Sequence, residues 1–339
     1  MKNRTLVIYH YFEKDQSYID NFLNFIVFGY FEDIDYIIAI AGESTIDFPK
    51  LENIEYIRTE NINNDYGGYS QVISKTPRVL DYDHVIFVNS SVRGPFVQVN
   101  CGKRWTDFFL DKIQGEVGLV GSTINILPAD SFHGQRYYQK HAGTGPLPHV
   151  QTMVYAMPQA VLQYLVEGGF YAEREQLDKY DVIEEYEIKL TQLVLAKGWN
   201  IASILPEYCI ADYRGDYRDI NPAAMEGDPS YPFAYFGRSA HPFEVIFVKT
   251  NRGIFNLKYL ERLSHSALYN RPLPKQLISS KSVSRYVSRI ITVKALKDQI
   301  PLEEQRLTPE QVIHFAGLLL KQYPEARVQI EDLLKSAVA

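Results

Sequence analysis

The chain has two cysteines in 339 residues, Cys101 and Cys209, too few and too far apart for a disulfide framework or a zinc cluster. A reducing, cytoplasmic setting is expected from that scarcity. No apolar stretch approaches the roughly 20 residues of a membrane span. Nor is there a basic excess: 35 Lys and Arg stand against 41 Asp and Glu, a formal charge of −6, which argues against a general nucleic-acid binder. The start, Met1-Lys-Asn-Arg-Thr-Leu-Val-Ile-Tyr-His, has only a short apolar run and reads as a first strand, not a signal peptide. The chain also lacks a glycine-rich basic loop near its N-terminus, since Val7-Ile-Tyr-His-Tyr-Phe12 is not one, and this counts against a nucleotidyltransferase. What is plentiful is aromatic: 25 Tyr and 18 Phe, which suit sugar or base stacking but serve cores as well.

Apolar runs alternate with helical patterns. Strands are expected at Thr5–Tyr11, Ile34–Ala41, Asn53–Arg58, His84–Asn89, Val117–Ile124, His149–Ala156 and Asn200–Leu205. Between them, Ile19, Phe22, Leu23, Ile26 and Val27 recur at three- and four-residue spacing, which predicts a helix over Ser17–Tyr30. Further helices are expected at Tyr69–Ser74 after Gly67-Gly68, Trp105–Ile113, Ala160–Glu167 and Asp178–Lys197, the last stopped by Gly198. This alternation implies an α/β fold with a doubly wound, mostly parallel sheet. Two irregular segments, Asp130–Pro148 and Asp212–Gly237, read as long loops of the kind that serve as lids or run over the surface. Past residue 265 the texture changes, so the division expected is a main domain over 1–264 and a helical extension over 265–339. Lys275 to Lys297 holds six basic residues and no acidic one, with Val283, Tyr286, Val287, Ile290 and Ile291 at helical spacing. Such a helix suits a membrane surface, an acidic partner or its own domain. Leu302–Ala339 reads as one or two helices, with Thr308 capping ahead of Glu310.

The candidate site lies where strands end. Ligands of open α/β sheets sit just past the carboxyl ends of strands, and His84-Val-Ile-Phe-Val-Asn-Ser-Ser-Val-Arg-Gly-Pro-Phe96 runs from an apolar strand into small polar residues and an arginine. Asn89, Ser90, Ser91 and Arg93 are therefore candidates for a diphosphate, Arg93 supplying the cation where no carboxylate is present to hold a metal. A surface ion pair is the competing reading of Arg93. In Asn64-Asp-Tyr-Gly-Gly-Tyr69, Asp65 can accept hydrogen bonds from a ribose or base, and Gly67 and Gly68 would let a ligand approach the backbone at a helix N-terminus. On a helical wheel Ile183, Glu187, Leu190 and Val194 share one face, while Glu185 and Lys189 pair on the opposite side. Glu187 is thus expected to point inward, as a general base or as a structural ion pair. His241-Pro-Phe-Glu244, with Lys249 and Arg252 beyond it, and His149 with Gln151 are candidates for the acceptor side or a lid; His133 and His141 are further histidines in the glycine-rich loop.

Together, Asn64-Asp-Tyr-Gly-Gly-Tyr69, Phe87-Val-Asn-Ser-Ser-Val-Arg-Gly-Pro-Phe96, Gly118-Leu-Val-Gly-Ser-Thr-Ile124, His149-Val-Gln-Thr-Met153, Tyr186-Glu-Ile-Lys-Leu190 and His241-Pro-Phe-Glu244 resemble bacterial polysaccharide glycosyltransferases of the GT-A type. The chain is similar, more loosely, to the rhamnan-synthesis proteins. The resemblance spans about residues 5 to 255 and implies a GT-A-like fold, a nucleotide-sugar donor such as a UDP-hexose, and a saccharide acceptor in O-antigen, lipopolysaccharide or capsule synthesis. For inverting members it implies a carboxylate base, which maps onto Glu187. Where many such enzymes carry Asp-Xaa-Asp, this chain has Asn89-Ser-Ser91, so no metal ligand and no cofactor is assigned and a divalent metal (Mn or Mg) is left open. The expected location is cytoplasmic and peripheral to the inner membrane. A non-catalytic glycan-binding or assembly module is the alternative from another class.

Overall fold

The computed structural model describes residues 4–215, 220–270 and 272–291, together with 313, 316, 317, 327 and 328. Eleven strands are present among them: β1 (Thr5–Phe12), β2 (Asp35–Ala41), β3 (Ile54–Thr59), β4 (His84–Asn89), β5 (Val92–Arg93), β6 (Val117–Gly121), β7 (Ile124–Leu127), β8 (Leu147–Val150), β9 (Val154–Pro158), β10 (Asn200–Ser203) and β11 (Val248–Lys249). Seven form the central sheet in the order β10-β6-β9-β4-β1-β2-β3. β1 runs parallel to β2 and β4, and β2 to β3, whereas β9 is antiparallel to both β4 and β6. The expected doubly wound, mostly parallel α/β sheet is what forms. The chain winds from β1 outward to β3 and returns to place β4 on β1's other side, so the strand order reverses between β1 and β4.

Alternation along β1 divides the interior into two layers. Leu6 and Ile8 pack with Tyr66, Tyr69, Val161, Leu190 and Val194 on one face. Val7, Tyr9 and Tyr11 pack with Phe22, Phe25, Ile26, Trp105 and Tyr286 on the other. Strands covered on both faces lose the polar half of the usual alternation and read as continuous apolar runs, which is why they were legible. The helix Gln16–Gly29 starts at Asp15, whose carboxylate accepts from the backbone N–H groups of Ser17 (2.8 Å) and Tyr18 (3.4 Å).

Several expected elements differ. The strand expected over Val117–Ile124 is two strands, β6 and β7, broken at Ser122-Thr123; that over His149–Ala156 is also two, β8 and β9, broken at Gln151–Met153. The breaks answer each other, because the Thr123 hydroxyl donates to Gln151 Oε1 at 2.6 Å and β7 leaves the main sheet to pair with β8. The expected loop over Asp130–Pro148 contains a helix, Phe132–Lys140, capped by Ser131, whose Oγ accepts from Gly134 N at 3.1 Å. The helix expected to follow Gly67-Gly68 in fact starts before them and spans Asn64–Lys75, with the glycines inside. A Cβ on Gly67 would overlap the carbonyl oxygen of Ile62, and one on Gly68 the ring of His10. Gly68 therefore serves close helix–strand packing and Gly67 the tight turn into the helix, which corrects their assignment as backbone open to a ligand.

The basic segment folds back on the domain. Helix Lys281–Ile291 buries Val283, Tyr286 and Ile290, and these join the layer beneath helix Gln16–Gly29. The Tyr286 hydroxyl donates to Asn24 Oδ1 at 3.1 Å, and Arg289 pairs with Asp20 (2.8 Å) and Glu261 (2.7 Å). Over these residues the apolar stripe packs on the chain's own domain, one of the three settings its pattern suits. The helices expected over Leu302–Ala339 lie outside the described residues, apart from five helical positions. Among the described residues no helix is long and apolar enough to cross a membrane.

Candidate functional site

The strand order reverses between β1 and β4, and it is in the crevice beyond the carboxyl ends at such a reversal that open α/β sheets bind ligands. Asn89 ends β4 there. Its Nδ2 donates to Asp65 Oδ2 at 3.1 Å, while its Oδ1 accepts from the backbone N–H (3.1 Å) and hydroxyl (2.6 Å) of Ser91. Ser90 turns away: its Oγ accepts from Phe12 N at 3.1 Å and pins the end of β1. Asp65 stands in the first turn of helix Asn64–Lys75 and Glu187 in the turn Ile183–Ile188 of the helical segment Lys179–Ala196, which has a wider, π-helical pitch. Such turns occur often at functional sites. Lys249 comes from β11, which pairs antiparallel with β5 just past Asn89.

These groups feel one another. Burial pushes the Asp65 carboxyl up to about 6; the hydrogen bond from Asn89 and the charge of Lys249 oppose the rise, and Glu187 adds to it. Lys249 is held below the ordinary lysine value by burial first and by Arg252 second, with Glu187, Asp228 and Asp65 pulling the other way. Asp228 is a third carboxylate that acts on Lys249. It accepts from Gln151 Nε2 (2.7 Å) and from the N–H and hydroxyl of Ser230 (both 2.7 Å), and it is bonded to Arg252, whose guanidinium lies 3.9 Å from the centre of the Tyr231 ring. Burial alone would raise its pKa, yet Arg252 and Lys249 hold it below the usual carboxylate value. His149 is buried beside this group, with Nδ1 at 3.2 Å from the carbonyl of Leu147, and burial lowers its pKa from the ordinary histidine value. Glu187 and Lys249 are the members left over: neither makes a hydrogen bond or ion pair with another of the described residues.

The helical wheel misplaced one carboxylate. Glu187 is half-buried and close enough to Asp65 and Lys249 for its charge to act on both, whereas Glu184, which the wheel left off that face, is fully buried in the π-helical turn. Glu184 accepts from Arg136 Nε (2.6 Å) and Lys140 Nζ (3.0 Å). Glu185 pairs with Lys189 at 2.6 Å, as the spacing implied, and with His141 at 2.9 Å. Arg93 does not reach the crevice. It is wholly buried under helix Gln16–Gly29, its Nε donating to Asn21 Oδ1 at 2.7 Å, on the face shared with Tyr9 and Tyr286. The diphosphate role given to Arg93 is therefore corrected, the two-residue β5 having turned its side chain to the opposite layer. His241 and Glu244 cap a short helix, Pro242–Val245: Phe243 N donates to His241 Nδ1 at 3.2 Å, and Glu244 accepts from His241 N at 2.7 Å and binds Arg238. Asp228, with Ser230, was not singled out from the sequence, although the loop holding it was; a Gly-Asp-Pro turn is common and gives no signal of its partners.

Asp65 carries a pH prediction. Its folded pKa of about 6 exceeds the ordinary aspartate value of 3.8, so its contribution to stability is fully present below about pH 4 and is lost as pH rises through 6. Asp65→Asn should therefore melt higher than the parent chain at about pH 8, by about 1–2 kcal/mol after allowance for solvent screening, and no higher at about pH 4. Thermal melts at the two pH values measure it; an equal change at both would refute the cause given.

No family model and no curated protein matches the chain. Solved structures give loose superpositions. The galactosyltransferase LgtC, in complex with donor and acceptor sugar analogues, matches at 12% identity over 81% of this chain and 99% of its own, with a TM-score of 0.35. A glycosyltransferase involved in glycosylation of the major capsid of PBCV-1 matches at 13% identity over 61% of this chain and 90% of its own, with a TM-score of 0.32. The bifunctional glycosyltransferase WbbM matches at 11% identity, with a TM-score of 0.29; the likeness covers 60% of this chain and 39% of WbbM. Superpositions this loose carry no weight for function, which is argued from the chain's own residues.

Proposed function

We propose that the chain is a glycosyltransferase that uses a nucleotide-sugar donor. The observation that carries the reading is the half-buried, unpaired carboxylate of Glu187 set against Asp65 and Lys249 beyond the ends of β1 and β4. Transfer of a sugar needs an anion-tolerant seat for the departing diphosphate and a base for the incoming hydroxyl. Asp65, steadied by Asn89, faces the nucleoside side of the donor, and Glu187 takes the proton of the acceptor hydroxyl. That oxygen attacks the anomeric carbon, the bond from this carbon to the diphosphate oxygen breaks, and its electron pair leaves with the nucleoside diphosphate. A single displacement inverts the anomeric centre. Within the same proposal the donor is a UDP-hexose and the acceptor a saccharide of a cell-surface polysaccharide, handled on the cytoplasmic side of the membrane. His149 and Gln151 stand on the acceptor side through their links to Asp228.

The test is a panel of nucleotide sugars offered with saccharide acceptors while nucleoside diphosphate release is followed. Release that depends on acceptor is expected for at least one donor. Donor binding without turnover throughout the panel would instead support a glycan-assembly module.

A further inference from the structure

Resting on the glycosyltransferase reading, one question is what balances the donor's diphosphate charge, a task given in many such enzymes to a divalent metal. The oxygen atoms near the crevice do not fit one. Ser90 Oγ is engaged by the backbone of Phe12, and Asn89 by Asp65 and Ser91. The Asp228 carboxylate is taken up by Gln151, Ser230 and Arg252. That leaves one oxygen of Asp65 and the carboxylate of Glu187, beside the ammonium group of Lys249, which would repel a cation. Among the described residues no three His, Cys, Asp or Glu side chains are grouped to hold a metal ion.

Lys249 suits the task instead. It is partly buried at the crevice, and no described residue forms an ion pair or hydrogen bond with its Nζ. Partial loss of water around an ammonium without a partner carries a cost, and an arriving anion offsets it. Its position is fixed relative to the β4 terminus, because Lys249 pairs with Val92 across the two-residue ladder of β11 and β5. Arg252, already bonded to Asp228 and stacked on Tyr231, adds positive field without leaving its place. We propose that Lys249 is the cationic seat of the donor's diphosphate, taking the place of a metal, and that donor binding and transfer proceed without a divalent ion.

The experiment titrates the full chain with UDP and with inorganic pyrophosphate, in excess EDTA or with added manganese, and reads affinity by calorimetry. Equal affinity in EDTA and manganese is expected for at least one probe. Lys249→Met should weaken binding about ten- to a hundredfold, the loss of a charge-assisted contact, while Lys249→Arg keeps most of it. The ligand-free Lys249→Met chain should melt higher than the parent, since an unpaired and partly desolvated charge has been removed; a lysine that merely balanced Asp65 and Glu187 would lower the melting temperature when lost. Binding or transfer that requires manganese would overturn the proposal and leave the glycosyltransferase reading standing, as would Lys249→Met binding as tightly as the parent. Metal-free, Lys249-dependent binding with no transfer to any acceptor would keep the seat and sink the enzyme. Failure of both probes to bind in either condition would overturn both.

Discussion

Glu187→Gln should lower the rate of sugar transfer by about 10²- to 10⁴-fold, the usual worth of a positioned general base, while leaving donor affinity close to that of the parent. Glutamine keeps the size and one oxygen of the side chain but accepts no proton, so the change isolates basicity. Glu187 has no ion pair or hydrogen bond with the described residues, so its replacement breaks none. Rates and donor affinities measured side by side separate the roles. A variant with parental turnover would remove Glu187 from the chemistry, and one that loses donor binding and rate alike would make it a donor contact.

Three residues earlier on the same chain, the opposite result is expected. Glu184→Ala should destabilise the fold by about 3 kcal/mol, towards the low end for breaking a buried ion pair, and lower the melting temperature by several degrees. Glu184 is fully buried between Arg136 and Lys140, which stand partly in solvent and keep Asp181 as a second partner. Those residual contacts are why the low end applies. Urea or thermal unfolding of the two variants should thus diverge: Glu187→Gln near the parent, Glu184→Ala well below it. Equal stabilities would mean that the Arg136 and Lys140 pairs are worth no more than surface ones.

The contrast between these glutamates shows where reading by period stops. An ideal helix over Asp178–Lys197 puts Glu187 on the inward face with Leu190 and Val194, and the i, i+4 pair Glu185–Lys189 forms as that spacing requires. The π-helical turn at Ile183–Ile188 then adds to the circumference, and Glu184, which that face does not include, becomes the fully buried carboxylate. Nothing in the local pattern marks that turn. Gly67-Gly68 is a similar case. A glycine pair before a helix suggests an approach for a ligand, yet the atoms that require the missing side chains are those of Ile62 and His10, and His10 is far away in sequence. Arg93 follows the same logic in reverse, for a cation after a strand end looks like a phosphate contact until Asn21 of another helix takes its Nε.

By itself the sequence determined the architecture: long apolar runs that pack on both faces, helices between them, and polar residues where β4 stops. Those are properties of neighbours along the chain, and a period of two or of 3.6 residues records them directly. Which side chains share the crevice was decided only by tertiary structure. Asp65, Asn89, Glu187, Asp228 and Lys249 come from five separate segments, and whether each charge is paired, raised, lowered or left free depends on burial and on partners that no local spacing encodes.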